Sequence, residues 1–375
     1  MSDTMILNDA TAPVAAQAAA GTKLLFVTGT LHIPQAYGGV EVNTHELAQE
    51  VIARGYPASV LCKLSLRDSF GAFRAVANRL RGAQLWTDGK LGYPVHRSLR
   101  PWTDLKGLPL PQVAIVQNGN MVRLGKAFRE RGIPSIAYLH GLEFVEGKVR
   151  WQGEAADLPF QAYIANSEFT ARLLEARFGI KAHIIPPVFR PERYRTAAVG
   201  RSVTFINPVP VKGVELALSL AELCPEIPFR FVKGWPLSPR ELMALKRRVA
   251  QLPNVTLMER ASDMRPVYSD TRVLLVPSQW QAETWGRVAS EAQYSGIPVL
   301  ASNRGGLPEA VGPGGTILPH DAPAAIWAEA LRQLWQEGDC HAEKSAAALA
   351  YSRRAAIDLD SQVDAFLSVV GSVLS

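Results

Sequence analysis

At 375 residues the chain is long enough for two domains of ordinary size. With 47 % hydrophobic and 20 % charged residues it is neither a disordered nor a fibrous sequence, and its three scattered cysteines, Cys62, Cys224 and Cys340, exclude a disulfide scaffold and a cysteine zinc site. The net charge of +6 lies wholly in the first half: residues 1–190 hold 21 Lys and Arg against 15 Asp and Glu, and residues 191–375 hold 19 of each.

The first 22 residues are rich in alanine, but Asp3 and Asp9 stand where an export signal carries Lys or Arg, and Asp9, Thr11 and Pro13 interrupt any apolar stretch. They read as a disordered tail, with cytoplasmic residence as the expectation. Buried parallel strands follow at Lys23–Gly29, Ala58–Cys62, Gln112–Gln117, Pro134–His140 and Ala162–Asn166, alternating with helices such as Val40–Arg54 and Glu168–Phe178. Between the second and third of these strands, Arg67–Arg81 has the spacing of an amphipathic helix, with Phe70, Phe73, Ala77 and Leu80 on one side. Two readings fit it: packing against the first sheet, or contact with an anionic membrane on its inner face. The basic excess is concentrated here, 13 basic against 4 acidic residues from Lys63 to Arg131, and is either a solvated face or the mark of an anionic or lipid-linked partner.

The run Pro186-Pro187-Val188-Phe189-Arg190-Pro191 cannot continue a helix or a central strand and marks the seam. A second series then repeats the theme: strands at Ser202–Asn207, Pro228–Gly234, Asn254–Met258, Arg272–Ser278 and Ile297–Ser302, with helices at Val211–Leu223 and Trp285–Ser295. After residue 322 the pattern is helical. The expected architecture is α/β, two Rossmann-like doubly wound domains facing a cleft: a tail at 1–22, domains at 23–190 and 191–357, and a final helix at 358–375 that packs back on the first domain. Ligands of such sheets bind beyond the carboxyl ends of the strands, so chemistry is expected in the loops after Gly29, His140, Asn207, Gly234 and Ser278.

The most informative stretch is Val276-Pro277-Ser278 through Glu283-Thr284-Trp285-Gly286-Arg287 to Glu291. Eight residues apart in one helix, Glu283 and Glu291 would sit about 12 Å apart along the axis and about 80° apart around it, too far to share one small group. With Glu283 ahead of the helix they instead bracket an extended ligand around a helix N-terminus that favours phosphate, as a nucleoside diphosphate sugar would require. The alternative is an N-capping Glu283 and a solvated Glu291.

This segment resembles the EX7E motif of the retaining glycosyltransferases of the GT-B fold, family 4. Gly38-Gly39-Val40-Glu41 resembles their N-terminal glycine-rich loop, Ile164 to Ala171 and Ile184 to Val188 the segments before their linker, Val209-Pro210-Val211-Lys212-Gly213 the opening of their second domain, and Gly305-Gly306-Leu307-Pro308-Glu309-Ala310-Val311 the turn after the EX7E helix. The resemblance, over residues 23 to 320, implies a metal-independent, configuration-retaining transfer of a sugar from a nucleotide diphosphate sugar, UDP-linked in preference, to a hydroxyl acceptor, with no cofactor. It implies that Glu291 holds the ribose, that Glu283 holds the donor sugar, and that the amides of Trp285, Gly286 and Arg287 cradle sugar and diphosphate. Lys212 would neutralise the diphosphate, Gly39 would admit it from the other domain, Gly234 would flank the base, and His140 would sit near the reacting sugar. One position departs: where the family carries Arg, five residues before Lys212, stands Asn207, and Arg287 or Arg304 is the expected substitute. A nucleotide-sugar-binding protein with little transferase activity is the rival reading.

Other patterns fail. Gly119 to Lys126 is one residue too long for a phosphate-binding loop, Asp358-Leu359-Asp360 reads as a helix cap, and the scattered histidines, His32 and His45 among them, make no metal pattern. Nucleic-acid binding is disfavoured by the neutral second half and the lack of a reading motif.

Overall fold

The structure of the chain, a computed structural model, describes residues 19–143, 151, 153–336 and 338–375. Most of the expected N-terminal tail, residues 1–18, lies outside these. The first half runs β1 (Leu24–Thr28), α1 (Gly39–Ala53), β2 (Ala58–Lys63), α2 (Ser69–Leu80), β3 (Trp86–Asp88), β4 (Val95–Ser98), β5 (Val113–Asn118), α3 (Met121–Arg129), β6 (Ser135–Leu139), β7 (Ala162–Ala165), α4 (Glu168–Phe178) and β8 (His183–Ile184). The second half continues β9 (Ser202–Ile206), α5 (Val214–Leu223), β10 (Phe229–Val232), α6 (Pro239–Val249), β11 (Val255–Met258), α7 (Arg265–Ser269), β12 (Thr271–Val276), α8 (Arg287–Gln293), β13 (Val299–Ser302), α9 (Leu307–Val311), β14 (Gly315–Leu318), α10 (Ala324–Trp335), α11 (Asp339–Tyr351) and α12 (Leu359–Ser372).

The strands make two sheets, ordered β3-β4-β2-β1-β5-β6-β7-β8 and β11-β10-β9-β12-β13-β14. Among the described residues every pairing is parallel except β3 with β4. Strand order reverses at β1 in the first sheet and at β9 in the second, which places a switch-point crevice on each. Central strands such as LLFVT in β1 are buried throughout because helices cover both faces.

Helix ends follow from local chemistry. Ser167 accepts from the Thr170 amide to start α4, and Gly179 ends it in the left-handed region. Asp358 starts α12 by accepting from the Ser361 amide, so the acidic triplet there is a cap. From that cap α12 crosses back to the first sheet: Phe366 stacks on Phe26 at 5.9 Å, and Gln362 Nε2 donates to the carbonyls of Pro186 and Pro187 at 2.7 and 3.1 Å. The linker is thereby pinned under the last helix.

The carboxyl edges of the two sheets meet. Asn166 Nδ2 donates to Thr284 Oγ1 at 2.9 Å, and Thr284 Oγ1 donates to the His140 carbonyl at 2.9 Å. Glu309, on α9, accepts from the Glu168 and Phe169 amides, both at 2.7 Å, and so caps α4 from the other half. Of the apolar side expected on helix α2, Phe70 and Ala77 are half-buried, while Phe73 and Leu80 are 69 % and 84 % exposed with Val76 beside them at 61 %, so packing against the first sheet does not account for that side. The face turned inward is built on Gly71 and Asn78 instead. No helix among the described residues is long and apolar enough to cross a membrane.

Candidate active site

Between the two sheet edges lies a cavity of about 710 Å³, within the usual range for a small-molecule site. Gly39, His140, Asn207, Lys212, Gly234, Glu283, Trp285, Gly286, Arg287 and Glu291 all line it. They come from both halves: most lie at a strand end or in the turn that follows it, while Gly39 opens α1 and Arg287 and Glu291 stand on α8.

After β9 the chain makes a short turn over Pro210–Lys212, which turns the Lys212 side chain into the cavity. Its ammonium lies 2.6 Å from Glu283 Oε2, and Ser278 Oγ donates to the same oxygen at 2.8 Å. The Trp235 and Trp280 rings flank the ammonium at 5.2 and 4.7 Å, a distance at which their faces favour a cation. Neither tryptophan carries a sequence signal for this role.

Glu283 precedes the helix, in the loop between β12 and α8. Two glycines make this loop possible. Gly306 donates its amide to the Glu283 carbonyl at 2.8 Å, and a Cβ on Gly305 would stand 2.0 Å from that carbonyl oxygen. Gly286 caps α8 at φ +87°, a conformation that costs other residues energy. For this reason α8 begins at Arg287, two residues later than the periodicity indicates. The Trp285 side chain is buried, with its indole N–H donating to Ser290 Oγ at 3.1 Å.

Glu291, on α8, is buried and accepts from the Tyr268 hydroxyl at 2.8 Å, while Arg287 Nε stands 3.4 Å from its other oxygen. Burial pushes its carboxyl above the ordinary value, and the charge of Arg287 opposes that shift. His140 stacks on Tyr138 with ring centroids 4.1 Å apart, and its Nε2 is buried without a partner among the described residues. Burial, helped by the charge of Arg287, lowers its pKa to about 3, so the ring is neutral.

Neither arginine expected to stand in for the one absent at Asn207 turns a free guanidinium to the cavity. Arg287 is 8 % exposed and its guanidinium is committed inward, to the Val188 carbonyl (2.8 Å), Glu46 (2.9 Å) and Tyr194 (3.2 Å). Arg304 is not among the residues that line the cavity. Arg260 does line it, held over the Tyr37 ring at 3.6 Å across the cleft mouth. Asn207 itself adopts φ +70°, and its Oδ1 accepts from the Trp235 amide at 2.8 Å, so it fixes the loop that carries Trp235. Gly234 lies against it: a Cβ there would come within 3.2 Å of Asn207 Cγ. Gly39 lies against Arg287, whose Cδ would be 3.3 Å from a Cβ.

His32 and His45 both bond the Tyr93 hydroxyl, at 3.2 and 2.9 Å. Among the described residues no group of three or more His, Cys, Asp or Glu side chains is placed to hold a metal.

Two family models match the chain in tandem: "Glycosyltransferase Family 4" over residues 37–193 and "Glycosyl transferases group 1" over residues 194–337. A D-inositol 3-phosphate glycosyltransferase of Segniliparus rotundus is 28 % identical over 63 % of this chain and 64 % of its own length. One from Corynebacterium efficiens is 33 % identical over 38 % of this chain and 36 % of its own. The chain thus spans less than two thirds of these relatives. Among solved structures, a glycosyltransferase from Rickettsia africae superimposes with a TM-score of 0.73 at 14 % identity, covering 94 % of this chain and 99 % of that one. The HepE protein of Anabaena, solved with UDP and glucose, gives 0.71 at 17 % identity over 94 % and 100 %. At these identities the likeness is one of fold, and that fold is the two-domain GT-B arrangement.

Proposed function

The chain belongs to the group 1 glycosyltransferases of family 4, and on that premise we propose that it moves a sugar from a nucleotide diphosphate sugar to a hydroxyl acceptor, with retention and without a metal. The observation that carries this reading is the convergence of the Lys212–Glu283 pair and Glu291 on one cavity, with a neutral His140 on the opposite wall. Glu291 accepts the ribose hydroxyls and Glu283 accepts from hydroxyls of the donor sugar. Lys212 takes the negative charge that grows on the departing diphosphate, a role in which a preorganised donor counts most. In a front-face transfer the acceptor oxygen bonds to the anomeric carbon as the bond from that carbon to the phosphate oxygen breaks. The acceptor's proton passes to that oxygen, so no side chain acts as a nucleophile.

Glu283 is accordingly a positioning group. UDP is the preferred nucleotide, a reading supported by the HepE complexes with UDP and with UDP-glucose. The rival reading, a binding protein without transfer, is not favoured, because the chain keeps the lysine on which turnover depends. The acceptor is an anionic or lipid-linked hydroxyl compound, as the basic first half supports. The outward row Phe73, Val76 and Leu80, near Arg79 and Arg81, supports peripheral contact with an anionic membrane. Thermal stabilisation by UDP, GDP, ADP and dTDP, with Glu291→Ala as control, tests the donor site. A selective shift lost in the variant is expected, and no shift with any nucleotide would overturn the proposal.

A further inference from the structure

One face of α1 grips the linker and the second half at consecutive turns. Asn43 Oδ1 accepts from the Val188 amide at 2.7 Å, and Glu50 pairs with Arg190 at 2.7 Å. Between them stands Glu46, wholly buried. Its Oε1 accepts from Arg193 at 3.0 Å and from the Tyr194 hydroxyl at 2.9 Å, and its Oε2 accepts from Arg287 at 2.9 Å. Arg287 is the first residue of α8, and Glu291 is one turn further along the same helix.

The consequence lies in how a guanidinium is built. Its five N–H groups form a rigid planar fork, so fixing one end fixes the direction of the other. Here the two terminal nitrogens are held by Val188, Glu46 and Tyr194, and the plane rests over the Phe189 ring at 4.4 Å. Only Nε is left to face Glu291, at 3.4 Å. With the Tyr268 hydroxyl on Oε2 and only that long contact on Oε1, each oxygen of the Glu291 carboxylate keeps a lone pair for a further donor, and Glu291 lines the cavity. Two carboxylates, Glu46 and Glu291, also balance two guanidiniums, Arg193 and Arg287, within the cluster.

We propose that Glu46, outside the cavity and on the opposite half of the chain, is a positioning residue for the donor: it holds Arg287 so that Glu291 stays free to accept the ribose hydroxyls. Without it the fork is released to close on Glu291 as a two-pronged pair, the geometry guanidinium and carboxylate prefer, and the oxygens meant for the ribose are occupied. This rests on the donor reading above and adds to it a residue remote in sequence.

The test is titration calorimetry of UDP, GDP and ADP, each beside its 2′,3′-dideoxy form, on the intact chain and on Glu46→Gln. In the intact chain the best nucleotide should bind about tenfold tighter than its dideoxy form, the worth of bonds to a charged acceptor. In Glu46→Gln the Kd of the ribose form should rise about tenfold while that of the dideoxy form stays within twofold, so the preference disappears. A variant that only loosened the fold would lower Tm and weaken both forms alike. A preference retained in Glu46→Gln overturns the inference. If Glu46→Gln does not fold, the variant carrying Glu46→Gln with Arg193→Gln keeps the charge balance, and the same loss of preference is expected; retention there overturns it equally. Should the intact chain bind no nucleotide, or bind both forms equally, the donor reading itself falls and takes this inference with it.

Discussion

Replacing Lys212 by methionine separates two things the lysine does. In the structure its ammonium neutralises Glu283, and the side chains of the pair are only 16 % and 7 % exposed. Removing one partner of a fully buried pair costs about 3–5 kcal/mol, because the other charge is stranded. Glu283 keeps one donor, Ser278 Oγ, and Lys212 is not fully enclosed, so about 1–3 kcal/mol is the expected loss of stability here. At about 2–4 °C per kcal/mol for a domain of this size, Tm should fall by roughly 2–12 °C. Turnover should fall further: losing one preorganised donor to a developing oxyanion costs about 10²–10³ in kcat. A second change, Glu283→Gln in the same chain, removes the stranded charge and should return Tm to within a few degrees of the parent while leaving kcat low. The assay is release of the nucleoside diphosphate as the donor concentration is varied, with calorimetric scans of each variant. A Lys212→Met chain with kcat within threefold of the parent and only a raised KM would refute the reasoning, since the lysine would then bind the ground state and transition state alike.

Glu291→Ala should raise the Kd for the nucleotide about tenfold or more, as expected for losing a charged acceptor of hydroxyl bonds; calorimetry that shows no change removes Glu291 from the ribose. Burial raises the Glu291 carboxyl above its ordinary value, against the opposing charge of Arg287, so the group holds a proton more readily in the folded chain than in the unfolded one. Acidification therefore relieves this burial, and its cost to stability grows as pH rises from the unfolded value through the folded one. Donor binding, which needs the ionised form, should weaken as pH falls through the raised value, and Glu291→Gln should flatten that arm of a Kd–pH profile. Asn207→Arg, which restores the residue usual in the family, should not tighten donor binding: it forces a larger side chain to φ +70° and removes the acceptor for the Trp235 amide, at a cost of about 1–2 kcal/mol. A lower Kd at unchanged Tm would contradict that. Phe73→Ser with Leu80→Ser should reduce co-sedimentation with phosphatidylglycerol vesicles severalfold and leave sugar transfer to a soluble acceptor intact; equal sedimentation would exclude α2 as the contact.

The parts of the fold that sequence makes readable are those where burial is uniform. Strands such as β5 and β6 are continuous apolar runs because helices cover both faces. Strand β4, by contrast, reads VHRS and carries no apolar run, although all four residues are buried. Arg97 is fully buried because Asp88 and the Ile33 carbonyl receive its guanidinium, partners that no local pattern announces. The motif residues of the site were visible because loops at strand ends need particular glycines and acids. What escaped was the part made by contacts between the halves: Thr284 bridging Asn166 and His140, and Arg287 reaching Glu46 across 241 positions. As a letter, Arg287 looks like a cation for the cleft. Only the packing shows that its charge is spent inside.

The cations of the cleft share a condition that bears on how a donor enters. Lys212 is paired with Glu283, Arg287 with Glu46 and Glu291, and Arg260 rests on the Tyr37 ring. On the proposed reading a diphosphate meets, among the described residues of the cleft, one guanidinium held only by a ring, Arg260, and has to draw Lys212 from Glu283 to gain its ammonium. That exchange has two effects in one movement, because the carboxylate that loses the ammonium gains acceptor capacity for the hydroxyls of the sugar attached to the diphosphate. A free diphosphate without its sugar would make the first change and leave Glu283 uncompensated, with only Ser278 to bond it. The intact donor satisfies both sides of the exchange. Discrimination between a nucleotide sugar and the bare nucleotide thus arises from a pair that, before binding, looks like nothing more than a salt bridge.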